Sequence, residues 1–212
     1  MADFYYVTKK EAREAKRDVI DIIREVQEIV RDEFTFQYTF IGSCARNMIT
    51  YDRDSNVGYD FDVNLEVNDP NQDYDPEEIR SIIFDAIQQV APRYSYEKVE
   101  NSTRVITIKI VDRENSCILH SCDFAIVNNL SNGQQRYIRL NKNSYTFTWE
   151  FQGKGYVYLP DKIEWLKENG LWADVRAHYL FKKDNNHNHN KHSRTIFAET
   201  INEMCQKNGY YN

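Results

Sequence analysis

Two carboxylates, spaced two residues apart, open the apolar run Tyr59-Asp60-Phe61-Asp62-Val63-Asn64-Leu65-Glu66-Val67. Side chains of an extended strand repeat every second residue, so Asp60 and Asp62 share one face and Phe61, Val63, Leu65 and Val67 the other. Carboxylates held this close repel, and keeping both ionised requires a cation between them. A hard divalent ion with oxygen ligands, Mg²⁺ first and Mn²⁺ second, suits the pair. Upstream, the strand-like run Phe40-Ile41 ends in Gly42-Ser43. The following Cys44 to Ile49 read as a short helix with Ser43 at its start. Backbone N–H groups at such a start attract phosphate, and Gly42 has no side chain to keep a phosphate away. A phosphate cradle and a metal pair on neighbouring strands describe a nucleoside triphosphate site.

The elements that must hold these groups follow from periodicity. Thr8-Lys9-Lys10-Glu11 fits a capping box. Behind it Ala12, Ala15, Val19, Ile22, Ile23, Val26, Ile29 and Val30 recur at helical spacing, predicting a helix to about Glu33. Strands are expected over 36–41 and 60–67, with the polar stretch Tyr51 to Gly58 as a loop. Asp75-Pro76-Glu77-Glu78 starts a second helix, which Pro92 ends. The period then changes to two. Ile106, Ile108 and Ile110 alternate with polar residues, Asp112 to Asn115 reads as a turn, and Cys117 to Val127 returns as the partner strand. This hairpin carries Asp123 back towards Asp60. A second hairpin joins 136–140 to 145–151, and its aromatics Tyr145, Phe147, Trp149 and Phe151 share a face expected to be core. Three helical stretches follow, broken by the polar loop Asp184 to Lys191. His187, His189 and His192 read as part of that loop rather than a zinc site, since no Cys or supporting partner accompanies them.

The order of these elements resembles the DNA polymerase beta-like nucleotidyltransferase superfamily. The residues that carry the resemblance are Gly42-Ser43, Asp60-x-Asp62 on a strand, and a third acid, Asp123, on a later strand. Sixteen residues separate Ser43 from Asp60, more than that family usually has, and the excess contains a rival pair, Asp52 and Asp54. No apolar strand follows the rival pair, so it is read as loop. The resemblance covers residues 36–127. It implies an α/β (α+β) fold, with a small mixed, mostly antiparallel sheet backed by helices and a C-terminal helical tail. Residues 1–155 are expected to form the core with the N-terminal helix, and 156–212 the tail packed on it.

The resemblance also implies an activity, namely transfer of a nucleoside monophosphate from a nucleoside triphosphate to a hydroxyl acceptor by a two-metal mechanism. Gly42 and Ser43 would hold the β- and γ-phosphates. Asp60, Asp62 and Asp123 would bind the metals and serve catalysis. A basic residue of the tail would meet the triphosphate, and Lys183 is chosen among Lys182, Lys183, Lys191 and Arg194. ATP is the expected donor. The acceptor is a small molecule, a nucleotide or a protein side chain. The alternative is a nucleotide-binding regulatory or antitoxin-like partner with little or no catalysis.

Composition narrows the partners. The chain has 212 residues, 41% hydrophobic and 28% charged, with a formal net charge of −6. The negative balance disfavours an extended nucleic-acid footprint, which depends on neutralising phosphates. No apolar run approaches a membrane span. The opening Met1-Ala2-Asp3-Phe4 lacks a secretory pattern. Four cysteines are scattered without metal-ligand spacing. Together these readings predict a cytoplasmic protein with reduced thiols.

Overall fold

A computed structural model describes residues 2–153, 158–188 and 190–210. The expected 155/156 boundary and His189 lie outside the described residues. By its contacts the chain divides into two compact units. One comprises Tyr6–Tyr51 and Asn56–Gln152, and the other Met1–Tyr5, Asp52–Ser55 and Gly153–Asn212.

The first elements are a short strand β1 (Phe4–Tyr6) and helix α1 (Arg13–Val30). The capping box is present: Thr8 N–H donates to Glu11 Oε2 at 2.7 Å, and Glu11 N–H donates to Thr8 Oγ1 at 3.2 Å. It closes a turn ahead of α1, whose last residues give way to a turn before Glu33. Strand β2 (Thr35–Ile41) leads into a four-residue helix α2 (Gly42–Ala45) and a short strand β3 (Thr50–Asp52). Strand β4 (Tyr59–Asn68) carries the paired acids, and helix α3 (Pro76–Val90) follows. Asp75 caps α3, accepting from the N–H groups of Glu77 and Glu78 while Glu78 Oε2 accepts from Asp75 N–H at 2.8 Å.

Strands β5 (Lys98–Asn101), β6 (Ile106–Asp112), β7 (Cys117–Asn129), β8 (Gln135–Asn141) and β9 (Thr146–Phe151) complete the sheet. The main order is β2-β4-β7-β6-β5, with β8 beside the end of β7 and β9 beside β8. β4 and β7 run parallel, and the other pairs of this sheet are antiparallel. The mixed, mostly antiparallel sheet expected from the sequence is therefore present.

One face of the sheet is apolar. Phe61, Val63, Leu65, Cys122, Phe124, Ile126, Ile106 and Ile108 are buried there in one core with α1 residues Val19, Ile22, Ile23 and Val26 and α3 residues Ile79, Ile83 and Ile87. The opposite face carries Asp60, Asp62, Asn64, Ser121, Asp123, Thr107 and Lys109, by strand alternation and the observed register. The aromatic stripe departs from its expected burial. Phe147 and Trp149 pack against the core, but Tyr145 is 79% exposed and Phe151 57%. Tyr145 precedes β9 in a turn with φ +53°, so strand alternation does not reach it.

A buried cation ties α3 to the β5–β6 connection. Arg80 has no exposed surface, and its guanidinium donates to neutral oxygens. These are Asn101 Oδ1 at 2.9 and 2.6 Å, Val105 O at 2.7 Å, Ser102 O at 3.0 Å and Arg104 O at 3.4 Å. Burial lowers its pKa to about 10. Farther along, the His120 ring stacks on Tyr59 with centroids 5.5 Å apart, and Nε2 lies 2.9 Å from the Tyr96 hydroxyl. Burial lowers the His120 pKa to about 4.

The second unit contains helices α4 (Leu159–Glu168), α5 (Trp172–Asp184) and α6 (Ser193–Lys207). Leu166, Val175, Tyr179, Ile196, Phe197 and Ile201 are buried within it. Lys182 of α5 bridges Glu199 and Glu203 of α6 at 3.2 and 2.6 Å.

Two stability measurements test this packing. Arg80→Lys should lose most of five hydrogen bonds while keeping a buried charge. The expected cost is about 2–4 kcal/mol in urea denaturation, and a cost near zero would contradict the anchoring role. The second concerns pH. A depressed His pKa leaves stability intact above the unfolded value of roughly 6.5 and removes it as pH falls towards 4, because the unfolded chain binds the proton first. Urea midpoints should therefore fall across that window more steeply for the parent than for His120→Phe. Parallel pH profiles would show that His120 titrates normally in the fold.

Candidate active site

β2, β4, β7, β6 and β5 bring the acids into a row. Across the sheet the paired residues run Ile41, Asp62, Asp123, Thr107 and Glu100. The next row on the same face runs Asp60, Ser121, Lys109 and Lys98. Asp62 and Asp123 are direct neighbours on parallel strands, and Asp60 lies one row away. The β6–β7 hairpin does return Asp123 to the strand of Asp60 and Asp62, as its alternation predicts. Among the described residues, no three His, Cys, Asp or Glu side chains meet as a cluster able to hold a metal.

The third acid has an unusual environment. Asp123 Oδ1 accepts a hydrogen bond from Thr107 Oγ1 at 2.6 Å. Burial raises the pKa of its carboxyl, and the charges of Asp60 and Glu100 add to the rise. The Thr107 hydrogen bond and the Lys109 ammonium act in the opposite direction. Lys109 is itself held by Glu100 at 2.7 Å, and Glu100 also takes Lys98 at 2.6 Å.

Gly42 sits in contact with this row. Its φ is +62°, a left-handed conformation that favours glycine. A Cβ at this position would lie 2.2 Å from Asp62 Oδ2. The turn therefore presses its backbone onto the Asp62 carboxylate. The sequence places a helix over 44–49 with Ser43 capping it. The structure corrects this: α2 is Gly42–Ala45, Ile41 occupies the cap position, and no side chain caps it. The left-handed residue at Gly42 lets the turn tighten directly off β2, which moves the helix start forward.

Lys16 was not found by sequence reasoning. It lies on α1, and its ammonium stands 4.5 Å from the centre of the Phe40 ring. Burial raises the Cys44 thiol pKa, the nearby Lys16 opposes that shift with its charge and a hydrogen bond, and Asp62 adds to it. Lys16 is thus a cation beside the Gly42–Cys44 turn. Its polar type on the edge of an amphipathic helix gave no signal of this.

Lys183 lies in the other unit, on α5. It is buried, with its ammonium 3.9 Å from the centre of the Phe4 ring and 5.8 Å from that of Tyr179. The rival acids are also there. Asp52 is not in a loop as expected but ends strand β3, where Oδ1 accepts from the N–H groups of Asp3 and Asp54 at 3.1 Å each. Asp52 is thus engaged by backbone. The segment before Asp60 is pinned as well. Ile118 N–H donates to Asn56 O at 2.8 Å, and a Cβ on Gly58 would lie 2.1 Å from Leu119 O.

By type, though not as a ready-made cluster among the described residues, the donors Asp60, Asp62 and Asp123 suit a hard divalent cation. Carboxylate oxygens on one face of paired strands are the ligands that Mg²⁺ prefers, and the charge of Asp60, which adds to the burial-driven rise of the Asp123 pKa, is a repulsion that a cation relieves.

No protein-family model and no curated protein matches the sequence. Solved structures do share its fold. The Vibrio cholerae DncV cyclic AMP-GMP synthase, in complex with a linear pppA(3′,5′)pG intermediate, superposes with a TM-score of 0.57 at 16% identity, over 88% of this chain and 52% of that one. CdnC from E. coli MS115-1, solved with ATP, gives a TM-score of 0.51 at 15% identity, over 93% and 62%. The Bradyrhizobium diazoefficiens CD-NTase CdnG, solved with GTP, gives 0.52 at 16% identity, over 69% and 40%. The chain thus spans about half the length of these structures.

The contact between Gly42 and Asp62 can be tested by stability alone. Gly42→Ala should cost about 1 kcal/mol from its backbone conformation, plus the cost of displacing the carboxylate. In an Asp62→Ala background the second part should vanish, so the two changes couple in a double-mutant cycle. Equal costs in both backgrounds would mean that the carboxylate does not press on the turn.

Proposed function

We propose that this chain, which has the fold of the polymerase beta-like nucleotidyltransferases, transfers a nucleoside monophosphate from a nucleoside triphosphate to a hydroxyl acceptor. The observation that carries the reading is the row in which Asp62 and Asp123 are paired neighbours while Gly42 packs on Asp62.

Mg²⁺, or Mn²⁺ in its place, held by Asp60, Asp62 and Asp123, would neutralise the phosphates and lower the pKa of the attacking hydroxyl. The residues supply the rest. The turn at Gly42 and Ser43 offers backbone N–H groups to the β- and γ-phosphates, with no side chain at Gly42 in the way. Lys16 adds a positive charge beside that turn, a role the sequence reading assigned to Lys183. Asp123, the acid paired beside Asp62, accepts the proton of the attacking hydroxyl. The acceptor oxygen then bonds to the α-phosphorus as the bond to pyrophosphate breaks. Holding both partners in line on one sheet face supplies much of the rate.

The acceptor we favour is a second nucleotide, ahead of a small molecule or protein side chain. The solved proteins that share the fold were captured with GTP, ATP and a linear dinucleotide, which supports this choice.

Incubation with labelled ATP and GTP, singly and together, with Mg²⁺ tests the reading. Label should appear in an oligonucleotide. Label on the protein would move the acceptor to a side chain, and binding without turnover would favour a regulatory nucleotide-binding role. Asp62→Asn should lose most of the activity, because it removes a direct ligand of the metal. Asp52→Asn with Asp54→Asn should keep it. Triphosphate and Mg²⁺ at a hundred times the dissociation constant should stabilise the parent by about 2.7 kcal/mol and Asp62→Asn by far less. Equal stabilisation would remove Asp62 from the site.

A further inference from the structure

We propose that Thr107 is a positioning residue for Asp123 and that its hydroxyl decides how the third carboxylate meets metal and acceptor. This rests on the nucleotidyltransferase reading. Thr107 stands in direct register with Asp123 across the antiparallel β6–β7 pair, and the two side chains share the polar face of the sheet. It is only 8% exposed, so its hydroxyl has little water to turn to. The 2.6 Å hydrogen bond commits Asp123 Oδ1 to Thr107 and leaves Oδ2 as the other acceptor on that carboxylate. A hydroxyl bound to an ionised carboxylate makes a short, strong hydrogen bond.

The surroundings make that commitment matter. Asp123 faces the carboxylate of Asp60 on one side and the Glu100–Lys109 pair on the other. Without a fixed partner, its carboxylate can rotate about χ2, which for an Asp has broad minima. It would then be drawn to the Lys109 ammonium and away from Asp62. Thr107 holds it against that pull, and its own χ1 is stiff because it is β-branched. Outer-shell partners of metal-binding carboxylates act in this way, and losing one commonly costs about 10–100-fold in metal affinity or activity.

Thr107→Val keeps the shape and removes the donor, whereas Thr107→Ser keeps the donor. Mn²⁺ binding in the presence of a non-hydrolysable ATP analogue is read by electron paramagnetic resonance, alongside kcat and KM. Thr107→Val should weaken Mn²⁺ binding and lower kcat by about tenfold or more while the nucleotide KM stays near the parent value, and Thr107→Ser should restore both. Thermal melting confirms that each variant is folded, and Thr107→Ala replaces the valine variant if it is not. Asp123→Asn is the control. If it loses Mn²⁺ while Thr107→Val binds and turns over like the parent, the positioning role is overturned and the nucleotidyltransferase reading survives. If Asp123→Asn itself keeps full Mn²⁺ affinity, that reading falls and this inference with it.

Discussion

The parallel pairing of Tyr59–Glu66 with His120–Val127 is the constraint on which the rest depends. It sets Asp62 beside Asp123 and Phe61 beside Cys122, so one register decides both the polar row and the core. Side chains alternate with a period of two, so a slip of one residue would carry the acids into the helix-packed face and the aromatics out of it. The large buried surface under α1 and α3 therefore enforces the geometry of the polar face, although none of those residues touches it. The core works as a ruler for the site.

Charge is managed differently on the two sides of this sheet. On the helix side Arg80 is fully buried among carbonyl and amide oxygens, which satisfy its donors without a counter-charge. Its burial holds the connection between β5 and β6 in place, and that connection delivers Thr107 and Glu100 to the row. On the polar face the charges remain partly solvated and compete. Asp60, Glu100, Lys98 and Lys109 act on Asp123 or on one another. The rigid cation supports the labile cluster, and the two are joined through one short hairpin.

Much of this was legible in the residues. Alternation revealed β4, β6 and β7, because one face of each is packed and the other is not. The Asp75 and Thr8 signatures formed the hydrogen bonds that their spacing promised. The pairing of Asp62 with Asp123 was foreseeable only through the hairpin, since strand partners distant in sequence leave no local pattern. The left-handed φ at Gly42 was hidden for a different reason: a glycine permits that conformation without announcing it. Thr107 and Lys16 were invisible because a threonine in a strand and a lysine on a helix are ordinary there. Their significance comes only from what lies across the sheet. The exposure of Tyr145 shows the converse error, in which a perfect alternation ran past the end of its strand.

The topology also has a kinetic consequence. The β6–β7 hairpin and the two packed helices are local in sequence and can form early, whereas β4 must find β7 across a long intervening chain. Non-local pairings are slow because loop closure costs entropy before any contact is gained. The row of acids thus comes together at the step expected to be among the last, when β7 slots in beside β4. Asp123 is then kept apart from Asp60 and Asp62, which share β4, during most of the search and is forced beside them only once the core has committed to its register. A nascent chain would acquire its capacity for chemistry late, so partly folded copies would carry the acids without the site.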